Sequence, residues 1–226
     1  MPVPKPLDAL TLAFAEALNF FQAKDIVTPD EWDRLSDQAR KRAFSVAGVT
    51  KASIIGQAWK AIDTALAKGT TFGDFQAEVG PALERAWGGS VKAPNWRLET
   101  IFRTNVQSAY SAGRYQVTMD PDIVELRPFR MFDAIMDSRT SAVCEACDGT
   151  ILPLDDPWWS GHLPPCHHAC RSGFISLSPR QADKRGVTKK PSGVASAEGF
   201  GTPPSLDPVS PSASLPREIA HAVPTA

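Results

Sequence analysis

A chain of 226 residues is long enough for one ordinary domain with a tail, or for two small domains sharing a core, and for no more. A hydrophobic fraction of 42% and a charged fraction of 22% are globular values, which argues against wholesale disorder and against a membrane protein. Lys and Arg number 24 against 25 Asp and Glu, so the molecule as a whole lacks the basic imbalance of a general DNA-binding protein.

The apolar stretch over 7–21 is broken by Asp8 and Glu16 and carries only Lys5 ahead of it, so neither a signal peptide nor a membrane anchor is expected. Leu7, Leu10, Phe14, Leu18 and Phe21 instead recur at helical spacing and predict a core-facing stripe. Thr28, Pro29 and Glu31 form a capping box with Pro at the first helical position, opening a second helix that carries Trp32, Leu35, Ala39 and Ala43 inward as far as Gly48. A third helix begins near Thr50, packs Ile55, Trp59, Ile62 and Leu66, and stops at Gly69. Phe72, Phe75, Val79 and Leu83 start a fourth, which Gly80-Pro81 should kink or split before Gly88-Gly89 ends it. From Trp96 to about Gln116 the pattern is helical again, with Leu98, Ile101, Phe102, Asn105, Ala109 and Ala112 near one face. Asn105 there reads as a boundary residue with a satisfied amide, and Arg103 and Arg114 as pairing residues rather than catalytic ones.

After Asp120-Pro121 the pattern changes to short apolar runs at 123–126, 129–136 and 174–177, which read as strands. Beyond Pro179 the chain is rich in Pro, Ser, Gly and Ala with almost no aromatic residue, a composition that does not offset the entropy of ordering. The expected fold is therefore α+β: a helical region over 1–118, a small zinc-stabilised lobe of strands and loops over 119–178, and a disordered tail over 179–226.

All four cysteines fall between positions 144 and 170, and in a reducing compartment such crowding points to a metal before disulfides. Cys144-Glu-Ala-Cys147-Asp-Gly149 is a two-residue-spaced thiolate pair followed by Gly, as in a zinc knuckle. Cys166-His167-His168-Ala169-Cys170 then offers His167 and Cys170 at the same spacing. Zinc suits this set because it accepts tetrahedral thiolate and imidazole ligands and tolerates short loops. The expected ligands are Cys144, Cys147, His167 and Cys170, with Cys166 in place of His167 as the alternative. Four protein ligands leave no open position for an activated water, so the ion would fold the lobe and do no chemistry.

Several blocks resemble Mu F-like phage head morphogenesis proteins: Arg103-Thr-Asn-Val-Gln-Ser-Ala-Tyr-Ser-Ala-Gly-Arg114, Asp137-Ser-Arg-Thr140, the Cys144 to Gly149 knuckle, and Pro164-Pro-Cys-His-His-Ala-Cys-Arg171. The resemblance spans about residues 10 to 180; Ser172 stands where the family commonly has a second cysteine after the Arg, and His168 where it often has Pro. It implies a minor head protein without enzymatic activity or small-molecule substrate. Such a protein associates with the portal and the major capsid or scaffold proteins in the host cytoplasm during assembly, and lies in the prohead or virion interior.

Two other functions compete. A zinc-stabilised His-Asn-His-type nuclease would use the double histidine, but no further histidine follows His168 until His221. A nucleic-acid-binding zinc module would draw on Trp158, Trp159 and the basic residues Arg180, Lys184, Arg185, Lys189 and Lys190, through which the tail could touch packaged DNA without sequence preference.

Overall fold

In the computed structural model the residues described are 15–88, 95–186, 191 and 193–204. The stripe residues Leu7, Leu10 and Phe14, and the tail residues 205–226, lie outside them. The described residues form two compact units, one over 15–17 and 107–204, the other over 18–106. The division falls inside the helix over 95–118.

In the unit over 18–106 the described elements are the end of helix α1 (15–22), β1 (Asp25–Ile26), α2 (Pro29–Asp33), α3 (Asp37–Arg40), β2 (Ala43–Phe44), α4 (Ala52–Lys68), α5 (Phe72–Ala86) and the start of α6 (Asn95–Thr118). The strands β1 and β2 pair in parallel, Asp25 with Ala43 and Ile26 with Phe44. Phe21 is fully buried, stacked on Trp59 at 5.6 Å and edge-on to Phe44 at 5.8 Å, so the apolar stripe of α1 meets α4 and β2. Ile55, Ile62 and Leu66 of α4 and Phe75, Val79 and Leu83 of α5 complete this core. The Thr28 box is formed, with Glu31 accepting from the Thr28 backbone N–H at 2.7 Å.

Two expectations change here. The second helix is not continuous: Ser36 accepts from the Ala39 N–H and starts α3, Arg40 closes α2 by donating to the Trp32 carbonyl at 3.2 Å, and Ala43 belongs to a strand. Conversely α5 runs unbroken through Pro81, because Phe75 and Val79 before it and Leu83 after it are buried in one core that outweighs the missing donor.

The unit over 107–204 holds the second half of α6, then α7 (Pro121–Leu126), β3 (Phe129–Asp133), α8 (Ala142–Cys147), β4 (Ile151–Pro153), α9 (Trp159–His162), β5 (Gly173–Leu177) and α10 (Pro179–Arg185). The antiparallel sheet has the order β4-β3-β5, with Met131 opposite both Ile151 and Ile175. The strands expected at 129–136 and 174–177 correspond to β3 and β5, whereas the apolar run over 123–126 is helical in α7. Asp120 caps α7 and Pro121 occupies its first turn, a start signal that outweighs the apolar run.

The region expected to lack structure also differs in part. Ser178 caps α10, Gln181 completes a capping box, and Ala182 is buried with Ile151 and Leu177. Residues 193–204 lie against the lobe, where Ala197 donates to the Cys166 carbonyl at 2.8 Å and Leu163 to that of Gly201 at 2.8 Å. Backbone hydrogen bonds tie this segment down where apolar side chains are few. Among the described residues no helix is long and apolar enough to cross a membrane.

Candidate metal centre

The sheet of the lobe packs over a cluster of Phe132, Leu152, Trp158, Trp159, Leu163 and Phe174, and all four cysteines are buried in it. Arg130 of β3 sits within this layer, its guanidinium 4.9 to 5.2 Å from the rings of Phe174, Tyr115 and Trp159. Burial pushes its pKa down to about 10, while the π faces around it favour the cation.

Two short segments bring the donors together. Ser141 accepts from the Cys144 N–H and starts α8, placing Cys144 in its first turn and Cys147 three residues on, toward the same face. The His167-to-Cys170 turn is closed by a bond from the Cys170 N–H to the His167 carbonyl and by Ala169 in the left-handed region, φ 52°. Cys144 Sγ lies 3.3 Å from His167 Nε2 and 3.7 Å from Cys170 Sγ, and the three donor atoms all fall within 4.8 Å of one another.

These separations suit a tetrahedral zinc. Bonds of about 2.3 Å to sulfur and about 2.0 Å to nitrogen put two sulfurs roughly 3.8 Å apart and a sulfur and nitrogen roughly 3.5 Å apart. The imidazole is also in the tautomer that a ligand needs. Its Nδ1 lies 2.8 Å from the His168 carbonyl, which can only accept, so Nδ1 carries the proton and Nε2 presents its lone pair to Cys144 and to the Ser141 hydroxyl at 2.8 Å. The Cys170 thiol is held high by its hydrogen bond with Cys144 and by burial, while the N–H groups of Cys166 and Ser172 pull the other way by favouring the thiolate.

Of the expected ligands, Cys144, His167 and Cys170 therefore converge, and Cys147 and Cys166 are not members of that three-donor group. Cys147 is fully buried, and desolvation, with the nearby Cys144 second, pushes its thiol up to about 11. Cys166 Sγ faces the His162 carbonyl at 3.8 Å. His168 is outside the group as well, its ring edge-on to Phe200 at 4.8 Å.

The groups that brace this centre lie in the family-like blocks of the sequence, where no role was given to them. Asp137 and Arg171 form a bidentate pair, at 2.7 and 2.5 Å, linking the segment before α8 to the residue after Cys170. The Arg171 guanidinium, with the Arg139 N–H second, holds the Asp137 carboxyl well below the usual range. The Ser111 hydroxyl of α6 donates to the Pro164 carbonyl, and Gln107 donates to that of Ser172 at 2.8 Å. The remaining singled-out residues have structural partners: Asn105 donates to its own helix at Ile101, Arg103 pairs with Glu99 at 2.6 Å, and Arg114 donates to the Phe174 carbonyl.

A helical segment feeding a small three-stranded lobe, with a Cys/His cluster braced by an Asp–Arg pair, is the class of architecture present. Residues 57–175, more than half of the chain, match the family described as Phage Mu protein F like protein, and the chain belongs to that family. It is similar to the Mu-like prophage FluMu F protein of Haemophilus influenzae, 35% identical over 69% of this chain and 40% of that protein. It is also similar to a protein of Escherichia phage Mu named as a capsid assembly protein F, 29% identical over 80% of this chain and 46% of the relative. The chain thus spans less than half the length of these relatives. No solved structure matches it significantly.

Proposed function

We propose that the chain is a non-enzymatic component of phage head assembly whose lobe is held by one structural zinc ion. The observation that carries the first part is family membership across 57–175, with a relative named for capsid assembly. The contacts it would make are with the portal and the adjoining capsid or scaffold proteins, in the prohead or virion. Co-sedimentation of the purified chain with portal protein or proheads tests this directly; a chain that stays in the supernatant with every head component would overturn it.

For the zinc, the support is the fit of the 3.3 and 3.7 Å donor separations and of the His167 tautomer. Cys144, His167 and Cys170 would supply three ligands. Cys147 is the better fourth, since α8 carries it on the face of Cys144, whereas Cys166 is engaged at the His162 carbonyl. An ion enclosed by four protein ligands would stabilise the lobe and leave no position for substrate. Bound metal per chain, measured by atomic emission, should be about one zinc.

A further inference from the structure

Away from the cysteine cluster, α10 and the α7–β3 junction together build a cationic concavity. Arg127, Ser178, Arg180, Gln181, Lys184 and Arg185 line a volume of about 510 Å³. Four of the six are cationic side chains, none is acidic, and all four cations are exposed. Among the described residues none of the four forms an ion pair. Asp183, the one acid between residues 180 and 190, is not among the lining residues.

The helix that carries Arg180, Lys184 and Arg185 is anchored to the lobe. Ala182 buries α10 against Ile151 and Leu177, and the Ser178–Gln181 box fixes its first turn. Arg127 is steadied by a bond of 2.8 Å from Nη1 to the Ser176 carbonyl, which leaves the rest of its guanidinium facing outward. Such a cluster is self-repelling unless an anion sits among its members. The chain's net charge is only -1, so this positive density is local and not a general property of the surface.

We propose that this concavity binds the phosphate backbone of double-stranded nucleic acid without reading its sequence. Arginine forks and a lysine ammonium suit phosphate oxygens, and the uncharged polar side chains of the lining, Ser178 and Gln181, already bond each other's backbone in the helix cap. A polyanion is favoured over a single phosphate because four exposed cations line one open volume without an acidic residue, more positive charge than one phosphate neutralises. The site does not depend on the metal or on portal binding.

The test is fluorescence anisotropy of a labelled mixed-sequence DNA duplex with the full chain, titrated at several salt concentrations. Four phosphate contacts predict that the log of the association constant falls with log salt at a slope of about -3 to -4. The combined variant Arg127→Gln, Arg180→Gln, Lys184→Gln, Arg185→Gln should bind at least about tenfold more weakly at ~0.1 M salt, with that slope largely lost, while its circular dichroism shows the same folded state. The variant Lys60→Gln, Lys68→Gln in the other unit should bind as the unaltered chain does. The proposal is overturned if the unaltered chain shows no salt-dependent binding, or if the combined variant binds equally well. It is also overturned if two duplexes of unrelated sequence differ by more than about tenfold, since backbone contacts carry no base information. Displacement of the duplex by inorganic phosphate beyond the effect of equal ionic strength of chloride would mark a single-anion pocket and contradict the polyanion reading.

Discussion

Ala169 lies between His167 and Cys170 with φ of 52°, in a region that an L side chain enters at a cost of about 1–2 kcal/mol. That turn is what lets both donors of a two-residue spacing face one point, so Ala169→Gly should leave the lobe as stable or raise its unfolding free energy by up to about 1 kcal/mol. Ala169→Val should lower it, as read by thermal melting. Ligand substitutions have a different signature. Cys144→Ser, Cys170→Ser and His167→Ala should each lose most of the bound zinc and lower the melting temperature, while Cys166→Ser and His168→Ala retain both. Zinc retained in Cys144→Ser and Cys170→Ser would contradict the three-donor cluster as the binding site. The brace is separable from the ligands: Arg171→Lys keeps the charge but loses the fork to Asp137, so it should melt lower than the unaltered chain while still binding metal.

At the scale of elements, close approach of backbones sets the most specific prediction. A Cβ on Gly113 of α6 would stand 2.6 Å from the Ala17 nitrogen and 2.9 Å from its Cα, both main-chain atoms that cannot turn aside. Gly113→Ala should therefore destabilise the protein by about 1–3 kcal/mol, despite the better helix propensity of Ala. Ser178→Ala removes the cap of α10 and should cost about 1 kcal/mol, measured by denaturant unfolding.

These elements also show what the sequence could carry. The Thr28-Pro29-Asp30-Glu31 start was read from its residues, and Ser178-Pro179-Arg180-Gln181 has the same form, yet the polar composition around it concealed a helix held by one buried alanine. Phe129 to Phe132 and Phe174 to Leu177 were legible as strands, whereas Ile151–Pro153 was too short to show a period. For the centre, spacing pointed to Cys144, Cys147, His167 and Cys170, with Cys166 as the alternative to His167, and the folded turns bring Cys144, His167 and Cys170 together. Spacing gave no sign that Asp137 pairs with Arg171 or that the His168 carbonyl sets the His167 tautomer, because both are contacts made only by the folded turn.

The whole molecule comprises a helical unit over 18–106 and, over 107–204, the unit that carries the Cys/His cluster, in a family member that spans less than half the length of its relatives. A structural ion in the donor cluster would leave the protein to act through the surfaces it presents, so the proposed function is read out by association and not by turnover. Chelation should separate the two units' behaviour. Removing zinc should lower the thermal stability of the lobe, followed by tryptophan fluorescence through buried Trp158 and Trp159, and restoring zinc should recover it. The most direct test of the central claim is co-sedimentation of the zinc-loaded full chain with portal-containing proheads of its own phage. Saturable association at a fixed, low number of copies per particle is predicted; absence of the chain from every portal, prohead and virion fraction would contradict a role in head assembly.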